Sequence, residues 1–265
     1  MTPIAVTIAG SDSGGGAGIQ ADLKTFSALG VYGASVITAL TAQNTHGVSG
    51  IHDVPPDFVR AQIDAVFSDL DVKAVKIGML SQPAVIEAVA EGLERHRQGT
   101  IVLDPVMVAA SGDRLLVPEA IDVMRRLLIP RALVLTPNLP EAAALLDAPP
   151  AQTEAEMRAQ AERLLALGPK AVLIKGGHAN GAESIDLLVE PTAFVRLAAE
   201  RIATDNTHGT GCTLSSAIAA GLAKNLDLAE AVRQAKAYVT ASIAASDRLA
   251  IGSGRGPVHH LHAWW

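Results

Sequence analysis

Asn206-Thr207-His208-Gly209-Thr210-Gly211-Cys212-Thr213 runs directly into Leu214-Ser215-Ser216-Ala217-Ile218-Ala219-Ala220. This order predicts a glycine-rich turn that opens an apolar helix. A helix start leaves its first N–H groups without carbonyl partners, and the helix dipole puts partial positive charge behind them. Such a spot binds anions, phosphate above all. The one cysteine of the chain, Cys212, stands there, in a setting that activates thiols. The competing reading is an ordinary helix start with two glycines for tight packing.

Further polar groups tip that balance. Gly10-Ser11-Asp12-Ser13-Gly14-Gly15-Gly16-Ala17-Gly18 either wraps a ligand with backbone amides or simply turns the chain. It is not a dinucleotide fingerprint, because a G-x-G pattern begun at Gly14 meets Ile19 at its third glycine position. No Gly-Lys pair occurs, which excludes a Walker A loop. Gln43 offers a donor and an acceptor suited to the edge of a nitrogen heterocycle, or it caps a strand end. Met79 either faces a flat ring or fills the core. Asp104, then Asn138 with Glu141, then Lys175 follow three successive apolar runs. An acid, an amide plus an acid, and a lysine at neighbouring strand ends resemble a magnesium–nucleotide site. Magnesium takes oxygen ligands and needs only one or two carboxylates, and lysine suits phosphate as a compact charge.

The elements that must position these groups alternate in type. Ile4 to Ala9, Ala34 to Leu40, Ala74 to Ile77, Ile101 to Leu103, Ala132 to Leu135 and Ala171 to Ile174 read as buried strands. Ala17 to Leu29, Pro56 to Leu70, Pro83 to Arg97, Pro118 to Leu128, Thr153 to Leu167 and Leu228 to Ser246 carry apolar residues at helical spacing. Prolines near three of these starts and a Thr153/Glu156 capping box fit helix N-termini. Ser184 to Glu190 and Ala193 to Leu197 read as an antiparallel hairpin late in the sheet. The alternation predicts a three-layer α/β/α architecture with a mostly parallel central sheet. No linker or repeat interrupts it, so residues 1–265 read as one domain. Functional groups in such a sheet collect at the carboxyl ends of the strands.

Composition narrows the function classes. The chain has 265 residues, is 49% hydrophobic and 18% charged, and carries a formal net charge of -6. Without a basic stripe, nucleic acid is not expected as a partner. One cysteine excludes an internal disulfide and fits a reducing compartment. No apolar run reaches the roughly 18 residues of a membrane span, and the N-terminus lacks the pattern of a signal peptide. A cytoplasmic location without membrane contact is therefore expected. His259, His260 and His262 lack a partner at metal-ligand spacing. Trp264 and Trp265 are expected to pack on the body or on a second subunit.

Four segments together resemble one family: Ala9 to Thr25, Thr38-Ala39-Leu40-Thr41-Ala42-Gln43-Asn44-Thr45, Thr136-Pro137-Asn138-Leu139-Pro140-Glu141-Ala142, and Asn206 to Thr213. They resemble the ribokinase-like small-molecule kinases, specifically the hydroxymethylpyrimidine/phosphomethylpyrimidine kinases of thiamine biosynthesis. Gly256-Pro257-Val258-His259-His260 looks like bacterial members. The resemblance implies a ribokinase-like fold and a kinase that uses ATP and Mg2+. Its acceptors would be 4-amino-5-hydroxymethyl-2-methylpyrimidine and then its monophosphate. It also implies a homodimer. Residue by residue, Gln43 would read the aminopyrimidine edge, with Gly10, Asp22, Met79 and Val106 lining the pocket. Asn138, Lys175 and His178 would meet the nucleotide, and Glu141 with Asp104 the magnesium. Gly209, Thr210, Gly211 and Cys212 would form the anion hole, with Lys175 among the catalytic groups. Ribokinases in general carry Asp where this chain has Cys212, and the pyrimidine-kinase branch shares the cysteine. A pyridoxal or pyridoxine kinase of the same fold is the near alternative. A non-catalytic binding protein and a nicotinamide oxidoreductase are the remote ones.

Overall fold

The computed structural model describes residues 2–108, 115–177 and 181–265. β1 (Ile4–Ala9) and α1 (Gly18–Ala28) lead to β2 (Tyr32–Ile37), then to a hairpin of β3 (Ala39–Asn44) and β4 (Gly47–Asp53). Next come α2 (Pro56–Phe67), β5 (Ala74–Ile77), α3 (Pro83–Arg95), β6 (Ile101–Leu103) and α4 (Pro118–Leu127). β7 (Val134–Leu135), α5 (Leu139–Leu146), α6 (Glu154–Leu165) and β8 (Val172–Lys175) follow. β9 (Glu183–Val189), β10 (Phe194–Glu200), α7 (Thr210–Ala223) and α8 (Leu228–Ala244) complete the order.

The strand runs are short and apolar because the sheet is covered on both faces. Its order is β10-β9-β8-β7-β6-β5-β1-β2. β1, β2, β5, β6, β7 and β8 are parallel, and β9 and β10 form the antiparallel hairpin at one edge. Alternation along each strand splits the core into two layers. Val6, Ile8, Val75, Ile77, Ile101, Leu103, Val172 and Ile174 pack under α2 to α6. Ala5, Ala74, Val102 and Leu173 face the other way, against α1, α7 and α8. Thr7, Lys76, Asp104 and Lys175 fall in that second register, on the α1/α7 side.

Two readings of local structure change. The run Ala34 to Leu40 is two elements: β2 stops at Ile37, and Ala39 begins a separate two-stranded sheet with β4. The stretch after Leu40, read as a strand-end loop, is thus part of a hairpin. Leu139 to Leu146, not assigned to a helix, is α5. Its start is marked by a capping box: Glu141 N–H donates to Asn138 Oδ1 and Asn138 N–H to Glu141 Oε2, both at 2.8 Å. The capping box at Thr153 and Glu156 also forms.

Candidate active site

Gly209 is the residue that turns the chain into α7. It holds a left-handed φ of 81°, and a Cβ there would run into the carbonyl oxygen of Gly16. Only glycine fits both demands. The loop 205–208 and the first loop of the protein thereby touch, and α7 begins at the carboxyl ends of the strands. Gly211 and Cys212 lie in its first turn, where N–H groups have no intrahelical partner.

The first loop is built around Asp12. Its carboxylate accepts N–H bonds from Gly14 (2.8 Å), Gly16 (3.0 Å) and Ala17 (2.8 Å) and faces His208 Nε2 at 2.9 Å. Burial pushes the Asp12 carboxyl up, but the His208 contact and these amides outweigh it and hold it below the usual range. His208 Nε2 also lies 3.4 Å from Gln43 Nε2. Gln43 sits at an irregularity in the β3–β4 register, between Ala42 and Gln43, a feature that re-aims a side chain. Residues 252–258 tie these pieces together. Gly254 N–H donates to Thr45 Oγ1 (3.1 Å) and Arg255 N–H to the Thr45 carbonyl (2.9 Å). His208 N–H donates to the Gly256 carbonyl (3.0 Å) and Val258 N–H to the His208 carbonyl (3.2 Å).

Against α7, Lys175 lies so close to Gly211 that a Cβ there would sit 3.3 Å from its Nζ. Lys175 Nζ bonds Asp104 Oδ1 at 2.6 Å and stands 3.9 Å from Glu141 Oε2. Asp104 also accepts from Thr136 Oγ1 and Ser215 Oγ, each at 3.2 Å. Burial opposes the charge on Lys175, but Asp104 and Glu141 outweigh it and raise the ammonium above its ordinary value. Glu141 is pushed up to about 7 by burial, with Lys175 pulling the other way and Asp104 adding to the rise. Burial likewise pushes the Cys212 thiol up to about 11, opposed by Lys76, so the thiol is neutral near pH 7.

Asp104, Glu141 and Lys175 therefore meet as the strand-end pattern predicts, beside Gly211. Asn138 joins them through its cap on Glu141 and a bridge to Lys175. Gly10 and Met79 are in contact, since a Cβ on Gly10 would sit 2.9 Å from Met79 Sδ. Val106 is half-buried two residues beyond Asp104. Asp22 is 0% exposed, one layer beneath the first turn of α7. Its carboxylate is consumed by Lys76 Nζ (2.8 and 3.0 Å), Thr7 Oγ1 (2.6 Å) and Ser216 Oγ (2.5 Å). His178 lies outside the described residues. Lys76, Asp12 and His208 went unassigned in the sequence. The signal for Lys76 was a lone charge inside the buried strand AVKI.

Among the described residues no group of three His, Cys, Asp or Glu side chains could hold a metal ion. Magnesium asks for less, and Asp104 with Glu141 is a hard oxygen donor pair of the right chemistry. The Lys175 ammonium now lies near both carboxylates, which shows that the spot already stabilises a cation.

A sequence profile described as phosphomethylpyrimidine kinase matches residues 12–259. The hydroxymethylpyrimidine/phosphomethylpyrimidine kinase of Rhizobium meliloti is 63% identical over 265 residues, covering 100% of this chain and 99% of the relative. Bacillus subtilis pyridoxal kinase, solved with ADP, superposes with a TM-score of 0.92 at 37% identity over 99% of both chains. Staphylococcus aureus pyridoxal kinase, solved with AMP-PCP and pyridoxal, gives 0.91 at 33% identity, covering 100% of this chain and 95% of its own. The shared fold is thus common to both vitamin-kinase branches, while the profile and the higher identity fall on one of them: this chain belongs to the phosphomethylpyrimidine kinase family.

Proposed function

We propose that the protein catalyses two successive ATP-dependent phosphoryl transfers, first to 4-amino-5-hydroxymethyl-2-methylpyrimidine and then to its monophosphate. One observation carries this reading: the α7 N-terminus, Lys175, Asp104 and Glu141 converge on a single point. Phosphoryl transfer needs positioning and charge neutralisation more than covalent chemistry, and this cluster supplies both. The amides of Gly211 and Cys212 hold the transferring group. Lys175, released from Asp104, meets the phosphate oxygens. Asp104 and Glu141 would hold magnesium, which would supply charge neutralisation on the phosphate chain.

Gln43, Gly10, Met79 and Val106 form the pyrimidine side. The adenosine end runs toward the groove of about 540 Å³ between β10 and α8, lined by Val195, Leu197, Ala237, Thr240, Ala241 and Ala244. Leu197 pairs with Asp186, and Asp186 pairs with Lys175. The groove therefore stands two strand spacings from Lys175, about 10 Å.

A neutral thiol suits both acceptors. A fixed carboxylate at position 212 would repel an acceptor that is already a phosphate. The lone Cys212, without a disulfide partner, fits a reducing, cytoplasmic setting, and no helix among the described residues is long and apolar enough to cross a membrane. A homodimer completes the reading. Leu40 and Ile51 on the β3–β4 hairpin and Trp264 and Trp265 remain exposed for such a contact, and sedimentation velocity tests it.

The decisive experiment incubates purified protein with ATP and magnesium and each of three acceptors: the hydroxymethylpyrimidine, its monophosphate and pyridoxal. Mass analysis is expected to find mono- and diphosphorylated pyrimidine. Product from pyridoxal alone moves the protein to the other vitamin-kinase branch, and no product from any acceptor overturns the kinase reading.

A further inference from the structure

Among the polar groups buried between the sheet and α1/α7, one cluster is closed to solvent altogether. Lys76 and Thr7 rise from neighbouring strands β5 and β1, and Asp22 and Ser216 descend from α1 and α7. All four are sealed, at 0% exposure. The carboxylate of Asp22 is satisfied by the two Lys76 contacts and two hydroxyls. Ser216 stands one helical turn below Cys212, on the same face of α7. The cluster is therefore the floor beneath the thiol and the first turn of α7.

Stability alone does not account for it. Burying two charges costs several kcal/mol per ion, and replacing a buried pair with apolar side chains is often neutral or stabilising. The position does account for it. Lys76 Nζ shares the Asp22 carboxylate with Ser216, which places its charge one helical turn under Cys212. Its ammonium is fully buried, with Gly78 beside it, so it makes no contact with a substrate in the pocket.

We propose that Lys76, held charged by Asp22, is a positioning residue for phosphoryl transfer: a fixed buried cation that sets the charge under Cys212 and the α7 amides. It rests on the reading of that helix start as the transfer site. Lys175 supplies a cation that moves with the phosphates, and Lys76 supplies one that does not. The other groups facing Cys212 are the Gly18 N–H from α1, Asp22 on α1, Asp104 after β6 and Lys175 at the end of β8. Asp22 and Asp104 disfavour a thiolate, while the Gly18 amide and the two lysines favour it.

The charge role predicts opposite signs for the two halves of the pair, which a merely structural role does not. Alkylation of Cys212 by iodoacetamide is measured from pH 7.5 to 10 in the intact protein, so that thiolate fraction separates from access. At pH 8.5, Lys76→Met is expected to react at least threefold more slowly than the parent, and Asp22→Asn at least threefold faster. The double variant K76M/D22N is expected to fall between the singles. Lys76→Met is also expected to lose at least tenfold in kcat with KM for ATP changed less than twofold. Should Lys76→Met not fold, Asp22→Asn and the double variant still decide, because the double must then react more slowly than Asp22→Asn. Equal rates, or shifts of the same sign, overturn the proposal. The alkylation result stands apart from any kinase assay, so failure of the transfer-site reading is seen separately, as a parent without product.

Discussion

Two of the buried lysine–aspartate pairs on one face of the sheet behave as opposites. Lys76 and Asp22 are both 0% exposed, and every oxygen of Asp22 is engaged from within. Lys175 keeps 12% exposure beside an Asp104 at 1%, and its ammonium stands near a second carboxylate, Glu141. The sealed pair has no alternative partner, so its charge stays where the fold puts it. The open pair has two acids for one base and a route to ligand, so its contacts can be exchanged. Proximity to solvent, rather than pairing itself, separates a fixed charge from an exchangeable one in these two pairs.

The largest effect tests the sealed pair. Lys76→Met strands the Asp22 carboxylate and is expected to cost about 3–5 kcal/mol in denaturant unfolding, with most of it regained in K76M/D22N. Equal stability of the single and double variants would break the comparison from one side. Lys175→Met tests the other side. It is expected to lower kcat by about 10²–10³-fold, roughly 3–4 kcal/mol of barrier, while costing less than half the stability lost in Lys76→Met.

The third test uses pH. Glu141 is pushed up to about 7 by burial, so its carboxylate is lost as pH falls through that value. The half-saturating magnesium concentration is then expected to rise below pH 7, by at most about tenfold per unit. Glu141→Gln is expected to bind magnesium more weakly and to flatten that dependence. The smallest effect sharpens the picture of the second acid. Asn138→Ala removes the cap that aims Glu141 and is expected to cost about 1 kcal/mol, read as a lower midpoint of thermal unfolding.

The open pair was legible in the sequence and the sealed pair was not. Asp104, Glu141 and Lys175 each follow an apolar strand, and the rule that parallel strands present function at their carboxyl ends brings them together. Lys76 offers no such rule. Its partner Asp22 is 54 positions away, and Ser216 is 194 from Asp22, so only packing reveals the cluster. Resemblance named Asp22 for the pocket, and packing shows the buried partners that hold its carboxylate. The β3–β4 hairpin escaped for another reason. A two-stranded sheet with four consecutive exposed residues on β4 writes little alternation into its sequence. α5 escaped because eight residues give scarcely two turns of periodicity, and the Asn138/Glu141 spacing that marks its start also marks a nucleotide site.

Residues 252–258 clamp both the hairpin turn at Thr45 and the His208 segment that feeds α7. A polypeptide is made in one direction, and these residues leave the ribosome after every other part of the site. A nascent chain can thus complete β1 through α8 while the loops around Asp12, Gln43 and Gly209 still lack the strap that joins them. The three loops are thus drawn together only by residues made after α8.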